Sequence, residues 1–429
     1  MVKELDMSMY GRLGVVPFVL AMVCVVVAAT ACTPLPVPAP PQFTIPPERL
    51  TGHQLLVVRE ADGNLVVVDP ATGERVQLTD DASATVVHGQ PVWSPVAAEL
   101  AWVRSELDGT RASGQILVAD TAGTVRLRVA TVFPPFYMYW NPQGTRLSLL
   151  GNWVVDGQPT MAMSVIDMEG SGYGTARIVD VGAPFYYDWA PDGERMLVHR
   201  NASIVWAGSP EQPLPITDSS SAFAAPAWLP DSESIVYGDL RDGVATLVRA
   251  DLDTGKEEVV TWYQGSHLAV YPDPTGDHLA VIETSDRVPV NAFGPLYLYS
   301  LESATLEQIT TMPVMAAFWS PDGERLLYWE GDLSGRPGDF NLRIWSEDGI
   351  REVGSAHSPP DFLQRYLYFS DQYARSHTLW SADSRWIAFA AEGPSGQNEI
   401  RIQEVGTLAP PAQVLAGDLV FWSRHTHPE

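Results

Sequence analysis

One short unit recurs along this chain: an apolar stretch ending in an aromatic residue, a tight turn, and a second apolar stretch. Its clearest copy is Phe318-Trp319-Ser320-Pro321-Asp322-Gly323-Glu324-Arg325-Leu326-Leu327-Tyr328. Pro321 presets φ for the second turn position, Asp322 suits the third, and Gly323 takes the left-handed conformation that lets a short hairpin reverse with the right twist. Further copies begin at Trp93, Trp140, Trp189, Trp228, a degenerate Pro272, Trp380 and Trp422, at successive spacings of 47, 49, 39, 44, 47, 61 and 42 residues. Seven residues after each of the first seven anchors stands an apolar residue, namely Leu100, Leu147, Met196, Ile235, Leu279, Leu326 and Ile387. Half of the 14 Trp sit at anchors, more than accidental similarity produces.

Each period also carries a third apolar run and a fourth after a turn, as in Gln115 to Asp120 then Val125 to Ala130, or Leu296 to Ser300 then Leu306 to Thr310. Four short antiparallel strands per period of this length are the signature of a β-propeller blade, whereas a parallel solenoid needs shorter repeats. The two ends complement each other. Gln54 to Arg59, Asn64 to Asp69 and Glu74 to Thr79 lack an anchor before them, and Leu419 to Ser423 is an anchor strand with nothing after it. The reading is an all-β chain, a single β-propeller of four-stranded blades over residues 50–424, its ring closed by strands from both termini. Seven complete blades and one composite make eight; seven is the alternative if Pro272 or the 61-residue interval is counted differently.

These W-x-P-D-G units, each followed by an alternating apolar strand, resemble the repeat of TolB-like propellers, a pattern also found in the propellers of prolyl oligopeptidase relatives. The resemblance spans roughly Leu50 to Ser423. It implies a propeller that serves as an interaction platform, as a substrate gate on a peptidase, or as an exported lipoprotein. Neither a hydrolase domain outside the repeats nor a G-x-S-x-G nucleophile elbow accompanies it, so the peptidase option lacks its catalytic half.

Residues 1–31 read as an export signal: Arg12 precedes the apolar run Leu13 to Ala28, and small residues lead to Cys32. Ala29-Thr30-Ala31-Cys32 resembles a bacterial lipobox, which implies lipidation of Cys32 and a membrane-anchored lipoprotein of the cell envelope. Ala29 stands where lipoboxes usually carry Leu; an A-x-A cleavage site and an uncleaved anchor are the alternatives. Residues 32–49 contain seven Pro between Pro34 and Pro47 and read as a stiff, unfolded tether. Cys24 and Cys32 are the only cysteines, so the exported domain must be held by packing rather than disulfides. With 26 basic against 52 acidic residues, the chain carries a formal charge of −26, which repels phosphate backbones and excludes nucleic acid as a partner.

In a propeller the first strand of each blade lines the central channel, so residues just before the anchors are the natural site candidates. Tyr137, Tyr186, His88 and His267 fall there, and packing between blades is the competing role for each. The long interval holds an insertion, Ser355 to Thr378, whose Arg365, Tyr373, Arg375 and His377 form the densest cluster of binding-type side chains. Either this segment contacts a ligand or it is an ordered cap plugging the channel, with Asp371 paired to Arg365 or Arg375. His425-x-His427 and Asp251-x-Asp253-x-Gly255 fall short of a metal site, and the reading has no metal and no cofactor. Residues 425–429 are a C-terminal tail. The function expected is a monomeric, non-catalytic envelope propeller binding a protein, peptide or glycan through its rim. The alternative is a hydrolase or lyase acting at the channel mouth.

Overall fold

The computed structural model describes residues 44–426 apart from 47–48, 183, 201–202, 210–211, 221–224, 264, 266, 285–292 and 408–410, and the side chains of 184–185, 203–209, 212–213, 267, 284 and 413 are not described either. Cys32, the export signal and most of the tether therefore lie outside the described residues. The tether's last part is not free of structure: Ile45 is fully buried, and its N–H donates to the Pro70 carbonyl at 2.7 Å. The compact unit is Gln42–Glu429. Among the described residues no helix is long and apolar enough to cross a membrane.

The described strands form antiparallel sheets, each the meander that the repeat predicts. Each of the first seven anchors pairs with the apolar residue seven positions on: Trp93 with Leu100, Trp140 with Leu147, Trp189 with Met196, Trp228 with Ile235, Pro272 with Leu279, Trp319 with Leu326 and Trp380 with Ile387. The last of these is an isolated bridge rather than a strand. Three sheets have four strands, for example Tyr137–Trp140, Arg146–Val155, Gln158–Asp167 and Arg177–Val181. A fifth strand, Gly172–Tyr173, leaves its own period to pair in parallel with Leu127 and Arg128 of the preceding sheet.

Two sheets are longer, because one strand in each changes partner halfway. Thr305–Trp319 pairs first with Gly294–Ser300 and then with Leu326–Gly331, giving seven strands. Ala412–Trp422 pairs first with Asn398–Glu404 and then with Leu56–Glu60, giving six. That second pairing joins the first described strand to the last, in the register Leu56 to Trp422 and Val58 to Val420.

The anchor indoles stitch sheet to sheet. Trp93 Nε1 donates to the Phe421 carbonyl (3.3 Å), Trp140 to Val92 (3.2 Å), Trp319 to Tyr271 (2.8 Å) and Trp380 to Phe318 (2.9 Å), each time to the residue just before the neighbouring anchor. Trp189 reaches the same kind of carbonyl through Ser148, whose hydroxyl donates to Tyr139 O. The turns are tied as well. Ser232 and Ser384 hold left-handed φ of 60° and 58° where other copies carry Gly, and each hydroxyl accepts the N–H of an Asp in the preceding turn, Asp192 and Asp322. Gly323 (φ 76°) has no such freedom, since a Cβ there would meet Thr275 at 2.8 Å.

The insertion begins later than Ser355. Ser355 to His357 complete the strand Gly349–His357, and the chain then forms helix α1 (Pro360–Arg365), a 3₁₀ turn (Leu367–Phe369) and helix α2 (Ser370–Ser376). Phe362, Tyr366, Leu367 and Tyr373 are buried in one apolar cluster with anchor-strand residues Trp93, Tyr139, Trp189, Phe318 and Phe421. The insertion thus lies inward, across the anchor strands.

Candidate functional site

Helix α2 is held by the strands it crosses. Gln372 Nε2 donates to the Tyr187 carbonyl (2.7 Å), its Oε1 accepts from Tyr187 N (3.1 Å), and its own carbonyl accepts from the Tyr137 hydroxyl (3.1 Å). Tyr271 and Ser370 share a hydrogen bond of 2.7 Å. The Tyr373 hydroxyl lies 3.0 Å from both Gln90 Oε1 and the Phe136 carbonyl, and its ring meets Tyr137 edge-on at 5.0 Å. Gln90 presents that oxygen from a left-handed backbone (φ 54°) within an irregular stretch of its strand. At the start of the insertion, Asp361 pairs with Arg59 at 2.6 Å, and Arg59 also pairs with Asp418 at 2.8 Å.

Arg375 is the electrostatic centre of this cap. Its guanidinium pairs with Asp188 at 3.1 Å and donates to the carbonyls of Pro226 and Ala225. Asp188 also accepts from Trp228 N at 3.0 Å and from the Tyr139 hydroxyl, and burial raises its pKa against the lowering effect of Arg375. Asp188 sits immediately before anchor Trp189, where the other anchors are preceded by Val92, Tyr139, Ala227, Tyr271, Phe318, Leu379 and Phe421. A lone acid in that apolar column was the sequence signal for a buried cation opposite, and it went unused.

Below the cap, on the side of the W-x-P turns, lies a cavity of about 470 Å³. Its mouth is rimmed by the exposed prolines Pro191, Pro230, Pro274 and Pro321, its walls include Trp189, Trp228, Phe318 and Trp380, and its floor carries Asp188, Asp371, Arg375, His377 and Arg424. An apolar wall with a few convergent polar groups is the make-up of a ligand site. Burial pushes Asp371 up to about 6, with Arg375 opposing, and pushes His377 down to about 3. His377 is therefore a neutral ring at physiological pH.

The insertion brings Tyr137, Tyr373, Arg375 and His377 together, with Tyr186 near enough to Asp371 for that charge to oppose its phenolate. The three Tyr and His377 are buried and Arg375 is half-buried, so they form the underside of a cap rather than an exposed rim. Tyr186 stacks on His199 at 6.5 Å. His88 lies apart, bonded through Nε2 to Asp81 at 2.8 Å, and Arg365 is exposed beside Asp361. The side chain of His267 is outside the described residues. Asp371 forms an ion pair with neither expected partner among the described residues: Arg365 pairs with Asp361 and Arg375 with Asp188, and Arg375 acts on Asp371 only as a nearby charge. Among the described residues no group of His, Cys, Asp and Glu could hold a metal ion. Asp251 accepts from Asp253 N and Thr254 N, as a hairpin turn does.

The raised Asp371 pKa has a testable sign. The folded state holds this proton up to about pH 6, whereas the unfolded chain releases it near the ordinary value of 3.8, so Asp371 adds stability at low pH that is lost between pH 4 and 6. Asp371→Asn, facing the same Arg375, Tyr186, Tyr271 and Ala225 N–H, is expected to gain up to about 3 kcal/mol over wild type above pH 6 and nothing below pH 4. Denaturant melts across that range, read as the difference between the two proteins, check it.

No protein-family model matches the chain. Among solved structures it is similar to the dihydro-heme d1 dehydrogenase NirN (TM-score 0.53, 12% identity, 88% of this chain and 78% of that one). It is also similar to the β-propeller domain of the Trilobed protease from Pyrococcus furiosus (TM-score 0.48, 12% identity, 78% and 99%). TolB from Acinetobacter baumannii matches at TM-score 0.36 and 15% identity over 70% of this chain, which spans 63% of TolB. At such identities these likenesses concern fold alone, and with the repeated antiparallel meanders and their indole stitches the chain has a β-propeller fold.

Proposed function

We propose that this chain is an exported, non-catalytic propeller of eight blades that binds a protein, peptide or glycan in the cavity at the proline-rimmed end of its channel. The carrying observation is that α2 is hydrogen-bonded across the anchor strands, while on the side of the W-x-P turns a recess of about 470 Å³ has aromatic walls and charged residues in its lining. The count of eight divides each of the two long sheets at its partner-changing strand. Pairing of Leu56–Glu60 with the end of Ala412–Trp422, and the Trp93 bond to Phe421, support closure of the ring by both termini. Lipidation of Cys32 and a Pro-rich spacer would hold this body at an envelope membrane, as the lipobox-like segment suggests; a diacylglyceryl group plus an N-acyl chain suffices for stable retention.

Ala382, half-buried at the cavity mouth, offers a test. Ala382→Trp narrows the entrance while its backbone N–H keeps the bond to Gln54 Oε1. Wild type immobilised in an envelope extract is expected to retain a partner that Ala382→Trp loses at an unchanged melting temperature. Equal capture by both proteins would exclude the cavity as the binding site.

A further inference from the structure

Resting on the cavity reading above, we infer that its ligand presents a single carboxylate to Arg424 and His377 on the floor, with an apolar body extending between the Trp walls toward the proline rim. The argument begins with charge. Acidic residues outnumber basic ones 52 to 26, and the other floor cation, Arg375, already has Asp188 at 3.1 Å and two carbonyls. Arg424 lines the same cavity, half-buried, yet it forms no ion pair among the described residues; its Nη1 donates to the Arg375 carbonyl at 2.6 Å. A guanidinium carries five N–H donors in a planar fork, so most of Arg424's donors remain available to something in the cavity.

His377 is the second observation. It is 3% exposed, its Nδ1 shares a hydrogen bond of 2.7 Å with Ser376, and its Nε2 has no hydrogen bond of normal geometry, with only the Pro91 carbonyl approaching the ring. A buried ring whose one neighbour beyond Ser376 is a carbonyl off the normal hydrogen-bond geometry is only partly satisfied, and a bound polar group would complete it. Both groups can donate to one anion, Arg424 always and His377 through the tautomer that carries its proton at Nε2.

The same floor limits the ligand to one negative charge. Arg375 is paired with Asp188, and Asp371 is a second acid whose charge above about pH 6 offsets that of Arg424, so a phosphate dianion would face two carboxylates with no surplus cation. A carboxylate brings a single negative charge and fits the planar fork of Arg424. A peptide C-terminus and a small organic acid share this chemistry.

Calorimetric titration of the purified full chain distinguishes them with three probes: N-acetyl-Ala-Ala-Phe as free acid, its C-terminal amide, and 3-phenylpropionate. The acid is expected to bind about tenfold or more tighter than the amide, and Arg424→Gln to remove that difference while Arg424→Lys keeps part of it. Tight binding of 3-phenylpropionate identifies a small acid as sufficient; binding of the tripeptide acid alone identifies a peptide end. Acid and amide binding equally well, in a manner abolished by Ala382→Trp, would overturn the carboxylate assignment and leave the cavity reading standing. No binding of any probe at millimolar concentration would overturn the carboxylate assignment, while loss of partner capture in Ala382→Trp would still leave the cavity reading standing. Should Arg424→Gln fail to fold, the acid-to-amide ratio on wild type and on Arg424→Lys decides the question.

Discussion

Deleting Leu419–Glu429 is expected to leave no folded protein, whereas deleting only His425–Glu429 leaves a melting temperature within a few degrees of wild type. The longer cut removes Leu419, Val420, Phe421 and Trp422, each no more than 2% exposed. Large apolar side chains lost from a core cost about 2–5 kcal/mol each, so four together match or exceed the 5–15 kcal/mol by which whole domains are stable. Hydrogen bonds go with them. Leu56–Glu60 loses its inner partner strand, Trp93 loses the Phe421 carbonyl, and Thr378 loses the Trp422 N–H that fastens the end of the insertion. Two edges of unpaired backbone and apolar side chain would then face water, and such edges favour aggregation. Circular dichroism and thermal unfolding of the two truncations check this. Equal midpoints would show that the pairing of the two ends does not hold the fold together.

Arg375→Ala is expected to destabilise the protein by about 3–5 kcal/mol, a larger loss than any other single change in the insertion. The substitution leaves Asp188 fully buried without its counter-charge and two backbone carbonyls, of Ala225 and Pro226, without a donor. Removing both charges should be milder. Arg375→Met combined with Asp188→Asn keeps an acceptor for Trp228 N–H and leaves no isolated ion, so the double variant should recover a large share of the loss. Urea unfolding of the two single variants and the double gives the coupling directly. If Arg375→Ala melted like wild type, the helix would be a ligand-contacting arm rather than a cap, and Tyr373 and Arg375 would again be candidates for direct contact with a partner.

The blade periodicity was legible because its determinants are local. A Pro-Asp-Gly turn and an apolar residue seven after each anchor specify a hairpin whatever surrounds it, and the pairs from Trp93 with Leu100 to Trp380 with Ile387 follow from that spacing. The match between the two chain ends was legible for the same reason, since three runs without an anchor and one anchor without followers call for each other. The insertion was visible only as excess length. Its helices have 6 and 7 residues, too short to stand on propensity alone, and they exist because Phe362, Tyr366 and Tyr373 are packed against anchor strands distant in the chain. Which strands they cross depends on bonds from Gln372 to Tyr187, from Tyr373 to Gln90 and from Arg375 to Asp188, partners 185 to 283 residues apart. No short-range pattern encodes such separations. The sequence by itself determined the strands, the turns and the residues just before each anchor; only the tertiary structure decided that the aromatic cluster there is packed against the helices of the insertion, and that a cavity lined by Arg424 and His377 lies on the side of the W-x-P turns.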